Sequence, residues 1–149
     1  EIAQNVLNEL KADNTTKEEV LFLVGHHDSP AEKNVEEVKR RLSRYGEEKY
    51  RALIDLRRAD NSAQSEDFKR TEQHDRCLEM LSEILESQSC FALKNLKING
   101  DDLLALGFPK GSLIGQTLSA LLDGVITGKY PNNREELHKI AKNLLDSRK

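Results

Sequence analysis

Apolar residues recur along this chain at intervals of three and four, the spacing that places side chains on one face of an α-helix. The clearest example lies in the second half of the chain, at Ile114, Leu118, Leu121, Leu122 and Val125. No segment shows the alternating Val, Ile and Thr pattern of a strand, and the chain has only three prolines. The pattern therefore predicts an all-α protein.

Residues with capping preferences divide the first half of this pattern into helices. Thr15 and Thr16 are each followed three residues later by a glutamate, which indicates a capping box at the start of a second helix. Asn34 is the expected cap of a third helix, and Gly46 is its expected end. A fourth helix should begin near Glu47 and carry its apolar face as far as Arg57.

Turn and capping residues also mark helix boundaries in the second half of the chain. Asn99-Gly100 indicates a turn, after which Asp101 is expected to cap a short helix. The glycine-rich segment 107–111 predicts a tight connection to the amphipathic helix described above, which should end at Gly128. Asn132 or Asn133 is then expected to cap a final helix.

A long fifth helix, residues 65–88, is predicted to connect a helical portion, residues 1–64, to a C-terminal domain, residues 89–149. The first half of this connection is almost entirely charged or polar, as expected for a spacer between two packed units. We therefore expect His74 and Asp75, which fall in the spacer, to be exposed to solvent.

Composition narrows the classes of function. Hydrophobic residues make up 37% of the chain and charged residues 33%, with a net charge of −3, so any nucleic-acid partner must be held by a local basic patch. Cys77 and Cys90 are too few for a disulfide framework and favour a reducing compartment. No apolar run approaches the length of a membrane span. The composition favours a cytoplasmic protein.

The glycine-rich turn is the strongest candidate for chemistry. Gly111 and Ser112 begin a helix whose first N–H groups lack intrahelical acceptors, and Lys110 adds a positive charge beside them. Such an arrangement binds phosphate without reading base sequence. Further basic residues surround the turn and complete the candidate RNA-binding set, namely Lys94, Lys97, Lys129 and Arg134. The alternative is a purely structural helical corner, in which Gly115 permits close packing.

A second constellation suggests metal chemistry. His27 and Asp28 are adjacent, and Asp60 follows at a distance that a helical bundle could close. A catalytic metal needs three or more converging ligands, and this set falls short. The sequence contains no nucleophile constellation and no P-loop motif of the nucleotide-binding kind. We assign no catalytic residue and no metal site to this chain, and keep these three residues as candidate ligands only.

The segment from Leu96 to Gly128 resembles the C-terminal domain of bacterial CCA-adding tRNA nucleotidyltransferases and related poly(A) polymerases. The positions that carry the resemblance are Leu96, Gly100, Asp102, Leu103, Gly107, Gly111, Gly115, Asn132 and Asn133. Upstream, residues 23–28 and 56–60 look like the later motifs of the HD-type domain that precedes this tail in many members. The earlier HD motifs are absent, which argues against an associated phosphohydrolase.

The resemblance implies a parent enzyme that adds C, C and A to the 3′ ends of tRNA, using CTP, ATP and Mg²⁺. It also implies that the catalytic carboxylates lie in an N-terminal head that this chain, which begins at Glu1 within a predicted helix, does not contain. The present chain would be an HD-like body and a tail that bind the acceptor arm and elbow of tRNA, without a cofactor of their own.

Two other functions stay open at this point. A residual HD-type phosphohydrolase would use His27 and Asp60. A helical interaction or dimerisation module, expected to form a homodimer, would account for the acidic net charge and the charged spacer.

Overall fold

The computed structural model describes residues 1–64, 71–87 and 89–147, and within them every regular element is helical. The α-helices are α1 (Ile2–Glu9), α2 (Asn14–His26), α3 (Val35–Tyr45), α4 (Glu47–Ala63), α5 (Thr71–Glu86), α6 (Gly100–Ala105), α7 (Ser112–Ile126) and α8 (Arg134–Asp146). A short 3₁₀-helix covers Leu93–Asn95. The predicted all-α class is confirmed.

The chain divides into two compact units, Glu1–Glu83 and Ile84–Lys149, called unit 1 and unit 2 below. The division into residues 1–64, 65–88 and 89–149 stays a prediction. Of its connecting segment, residues 65–70 and 88 lie outside the described residues. Among the described residues, no helix combines the length and the apolar character that crossing a bilayer requires.

The core of unit 1 forms where α4 packs against α2 and α3. Helical spacing selects its members, because residues three and four apart share a face. The buried apolar side chains of these helices and of α5 within unit 1 are Val38, Leu42, Tyr50, Leu53, Ile54, Cys77 and Leu81.

The predicted spacer is not fully solvated. His74 lies three residues before the buried Cys77, on the same face of α5, and only 6% of its surface is exposed. Asp75 pairs with Arg58 on α4, with 2.8 Å between carboxylate oxygen and Nε. The expectation that His74 is exposed was therefore wrong, because a polar residue at a core-facing position is buried with its neighbours.

Helix α1 leaves most of its apolar face uncovered. Leu7 is buried, whereas Ile2, Val6 and Leu10 are exposed. Helix α1 packs mainly on α2, so one neighbour has to cover a face of four apolar residues.

The core of unit 2 is assembled from α6, α7 and α8. One contact inside it is unusually tight: a Cβ atom built on Gly124 would lie 2.1 Å from the ring of Tyr130. A Cβ built on Gly115 would meet nothing within 4 Å. The proposed close-packing role of Gly115 was wrong, and the glycine that packs closely on α7 is Gly124.

The capping predictions were partly right. Asn34 and Asn133 each accept a hydrogen bond from the backbone three residues later, as predicted. Asp13, rather than Thr15 or Thr16, caps α2 by accepting from the backbone N–H of Thr16. The cap of α6 is Asn99, two residues before the predicted Asp101.

Candidate nucleic-acid interface

The two units differ in charge. Residues 1–83 contain 14 lysines and arginines against 19 aspartates and glutamates, whereas residues 84–149 contain nine against seven. The net charge of −3 for the whole chain therefore combines an acidic unit 1 with a slightly basic unit 2. A phosphate backbone is attracted to the second of these and repelled on average by the first.

Helix α7 begins without a side-chain cap. Gly111 occupies the N-cap position with φ of +135°, a conformation that favours glycine, and no acidic residue lies in the first turn. By contrast, Asn99 caps α6 and Asn133 caps α8, and both helices carry acidic residues in their first turns. The first N–H groups of α7 therefore have no side-chain acceptor. The phosphate site predicted at Lys110, Gly111 and Ser112 requires such N–H groups.

All four lysines of the predicted RNA-binding set are free to contact an anion. Lys94, Lys97, Lys110 and Lys129 are exposed, and none forms an ion pair with a described residue. The ammonium group of Lys129 lies 5.2 Å from the ring centroid of Tyr130, close enough for a cation–π contact. That contact leaves its charge uncompensated.

Asn132 brings two of the basic segments together. Its side-chain oxygen accepts from the backbone N–H of Lys97 at 3.0 Å, and its side-chain nitrogen donates to the carbonyl of Asn95 at 2.9 Å. The segment that carries Lys94 and Lys97 is thus fixed beside the segment that carries Lys129. No local sequence pattern indicates this bridge, since its partners are 35 and 37 residues apart.

Arg134 is placed differently from the four lysines. Its guanidinium group donates to the carboxylate of Asp102, which also accepts from the backbone N–H of Asn99 at 2.9 Å. The bond from Asn99, followed by the bond from Arg134, lowers the pKa of the Asp102 carboxyl. Asp102 therefore stays ionised and compensates much of the charge that Arg134 would offer to RNA.

The predicted set does not converge on one pocket. Lys110, Gly111 and Ser112 stand at the start of α7, whereas Lys129 follows its end. A helix of 15 residues separates its first and last Cα atoms by about 21 Å. The structure thus gives a site at the start of α7 and a basic group of Lys94, Lys97 and Lys129 elsewhere on unit 2.

The candidate metal ligands lie on a cleft of unit 1 with a volume of about 590 Å³. His27 Nε2 lies 3.2 Å from a carboxylate oxygen of Asp28, while Asp60 accepts from the side chain of Gln64, the residue that follows α4. No three His, Cys, Asp or Glu residues in the described ranges are arranged to hold a metal. The phosphohydrolase hypothesis therefore gains no geometric support.

A buried carboxylate that no sequence pattern indicated lies at the same cleft. Glu32 is 5% exposed and accepts from the hydroxyl of Tyr50 at 2.8 Å. Arg41 and Arg57 approach its two oxygens at 3.1 and 3.4 Å. Burial, together with the charge of Glu32, raises the pKa of Tyr50. Two guanidinium groups and a phenol compensate this buried charge, as buried carboxylates require.

A comparison with models of known protein families gives a match over most of the chain. The model of the family described as tRNA nucleotidyltransferase domain 2 matches residues 1–141. No curated protein and no solved structure matches the chain. Because the family match covers nearly all of the 149 residues, this protein belongs to the tRNA nucleotidyltransferase domain 2 family.

Proposed function

We propose that this chain is the tRNA-binding portion of a CCA-adding tRNA nucleotidyltransferase, and that it positions the acceptor arm and elbow for a separate catalytic domain. Family membership supports tRNA as the partner. The observation that carries the binding role is the set of four exposed lysines of unit 2 that lack a carboxylate partner among the described residues. Transfer of nucleotides from CTP and ATP with Mg²⁺ would belong to the catalytic domain.

The start of α7 supplies the most specific contact in this proposal. A phosphate there accepts from first-turn N–H groups of α7 and lies beside the ammonium group of Lys110. Gly111 and Gly115 leave the backbone bare, since a Cβ at either position would meet nothing within 4 Å. A nucleic-acid backbone can therefore approach more closely than a larger residue would allow.

The second basic group extends the contact along the RNA. Lys94 and Lys97 are held beside Lys129 through Asn132, and this group is separated along α7 from Lys110. Lysines that contact phosphates at two separated places fix the orientation of a duplex but carry no base information. Such contacts suit a protein that must accept every tRNA.

Charge reversal at Lys110 tests this proposal. Fluorescence anisotropy would measure the binding of a labelled tRNA minihelix over a series of salt concentrations, for wild type and Lys110→Glu. We expect weaker binding by the variant and a salt slope shallower by about 0.9, the value for one lost phosphate contact. Lys142→Glu is the matched control, because Lys142 is exposed on α8 and lies outside the candidate set.

The control separates a specific contact from a general charge effect. Both variants change the net charge by the same amount, so Lys142→Glu should retain most of the affinity and the slope of the wild type. If Lys110→Glu and Lys142→Glu bind the minihelix equally, the start of α7 is not the phosphate site.

A further inference from the structure

Three aromatic rings pack together at the surface of unit 1. Phe22 and His26 lie on α2, and Tyr45 ends α3. The ring centroids are 4.6 Å apart for Phe22 and His26, 4.9 Å for Phe22 and Tyr45, and 5.2 Å for His26 and Tyr45. All three side chains are half-buried, so none belongs to the core of the unit.

Cations lie over these rings. The guanidinium carbon of Arg44 is 5.6 Å from the centroid of Tyr45, and the ammonium nitrogen of Lys49 is 5.9 Å from the centroid of Phe22. Both side chains are exposed, and neither has a carboxylate partner among the described residues. Arg41 also lies over Tyr45, but Glu32 and the Tyr45 hydroxyl already bind it.

Core packing does not account for this cluster. The chain has only seven phenylalanines and tyrosines, and the buried ones among the described residues are Tyr50 and Phe108. Aromatic side chains contribute most to stability when they are fully buried, yet Phe22 and Tyr45 are only partly buried and lie beside exposed cations. Partly open aromatic rings next to uncompensated positive charges suit a ligand that is both flat and anionic.

A nucleotide has both properties. Its base stacks on aromatic rings or on the plane of a guanidinium group, and its phosphate pairs with a lysine or arginine. His26 adds a polar group, because its Nδ1 lies 2.7 Å from the carbonyl of Phe22 and donates to it. In the neutral ring, Nε2 is then an acceptor that a base amino group could use.

We propose that Phe22, His26, Tyr45, Arg44 and Lys49, here called the aromatic platform, bind an unpaired nucleotide within an RNA strand. A strand is favoured over a free nucleotide because Arg44 and Lys49 lie over different rings. A nucleotide within a strand has a phosphate on each side of its base, and the two cations can pair with one phosphate each. The platform is independent of the start of α7.

Acidic neighbours make this a weak site. Glu18 stands one turn before Phe22 on α2, and Glu48 directly precedes Lys49; both are exposed. Their charges oppose a phosphate at short range but act less at a distance, since salt screens exposed charges beyond about 8 Å at physiological ionic strength. Glu18→Gln should therefore increase the affinity of the platform for a strand.

Binding would be measured with a single-stranded pentaribonucleotide that contains 2-aminopurine, whose fluorescence falls when the base stacks. We expect wild type and Tyr45→Phe to quench the probe, because both keep the ring. Tyr45→Leu should weaken binding about tenfold, the order expected for one lost stacking contact. Arg44→Lys keeps the charge but loses the guanidinium plane, so it should retain part of the affinity and lose part of the quenching.

Arg44 is exposed, so its replacement tests the platform even if Tyr45→Leu fails to fold, which thermal unfolding would reveal. The proposal would be overturned if a pentamer with an abasic site bound as tightly as the 2-aminopurine pentamer. It would also be overturned if AMP displaced the pentamer at equal concentration, since the site would then accept a free nucleotide. Lys110→Glu should leave the binding of the pentamer unchanged, which separates this result from the minihelix experiment.

Discussion

At the scale of single residues, His74 is a titratable side chain that is buried in unit 1. Its ring is almost completely buried, and its Nδ1 has no hydrogen-bond partner among the described residues. Burial, and then the positive charge of Arg57, lower the pKa of His74 below its usual value of 6.5. The folded protein therefore holds this ring in its neutral form.

Because the pKa of His74 is lowered in the folded protein, the free energy of unfolding depends on pH. Above pH 6.5 the ring is neutral in both states, whereas below it the unfolded chain binds a proton that the folded chain resists. Urea unfolding measured between pH 7.5 and 5.5 should show a free energy of unfolding that decreases as the pH is lowered. The decrease should be at most about 1.4 kcal/mol per pH unit for one proton. His74→Gln should show a flatter profile, and equal profiles would contradict this assignment.

At the scale of helices, the two glycines inside α7 predict opposite effects of the same substitution. Gly124→Ala places a methyl group 2.1 Å from the Tyr130 ring, so the ring or α7 must shift. Overpacking of this kind costs about 1–3 kcal/mol. Thermal or denaturant unfolding should therefore show a clear loss of stability for this variant.

Gly115→Ala is the matched control on the same helix. Nothing lies within 4 Å of a Cβ at this position, and alanine is a better helix former than glycine. We expect this variant to gain about 0.5–1 kcal/mol in its free energy of unfolding. A loss of similar size in both variants would show that Tyr130 is not the cause.

The same scale shows what local patterns predict well. Helix α3 begins after Asn34 and ends at Gly46, and α8 begins after Asn133, as predicted. Such boundaries are predictable because capping depends on residues within one turn. The caps at Asp13 and Asn99 were misassigned by two or three residues, since several polar residues stand together there. Only the backbone conformation decides which of them lies just outside the helix.

At the scale of the whole molecule, contacts between distant residues set the limit of prediction. The lysines of unit 2 were recognisable from sequence, because exposure follows from charge. The bridge through Asn132 and the platform of Phe22, His26 and Tyr45 were not, because each depends on how separate helices and loops pack. Glu32 was missed for the same reason, since a lone glutamate gives no sign in sequence that it is buried.

The modest positive charge of unit 2 has a kinetic consequence. Four lysines of unit 2 have no carboxylate partner among the described residues, and the whole chain has a net charge of −3. The proposed RNA partner would therefore meet a small number of attractive contacts and no strong long-range field. Affinity differences between related complexes arise mostly from dissociation rates, so few contacts mean a short residence time. For the tRNA partner proposed above, the structure therefore favours rapid release over tight holding.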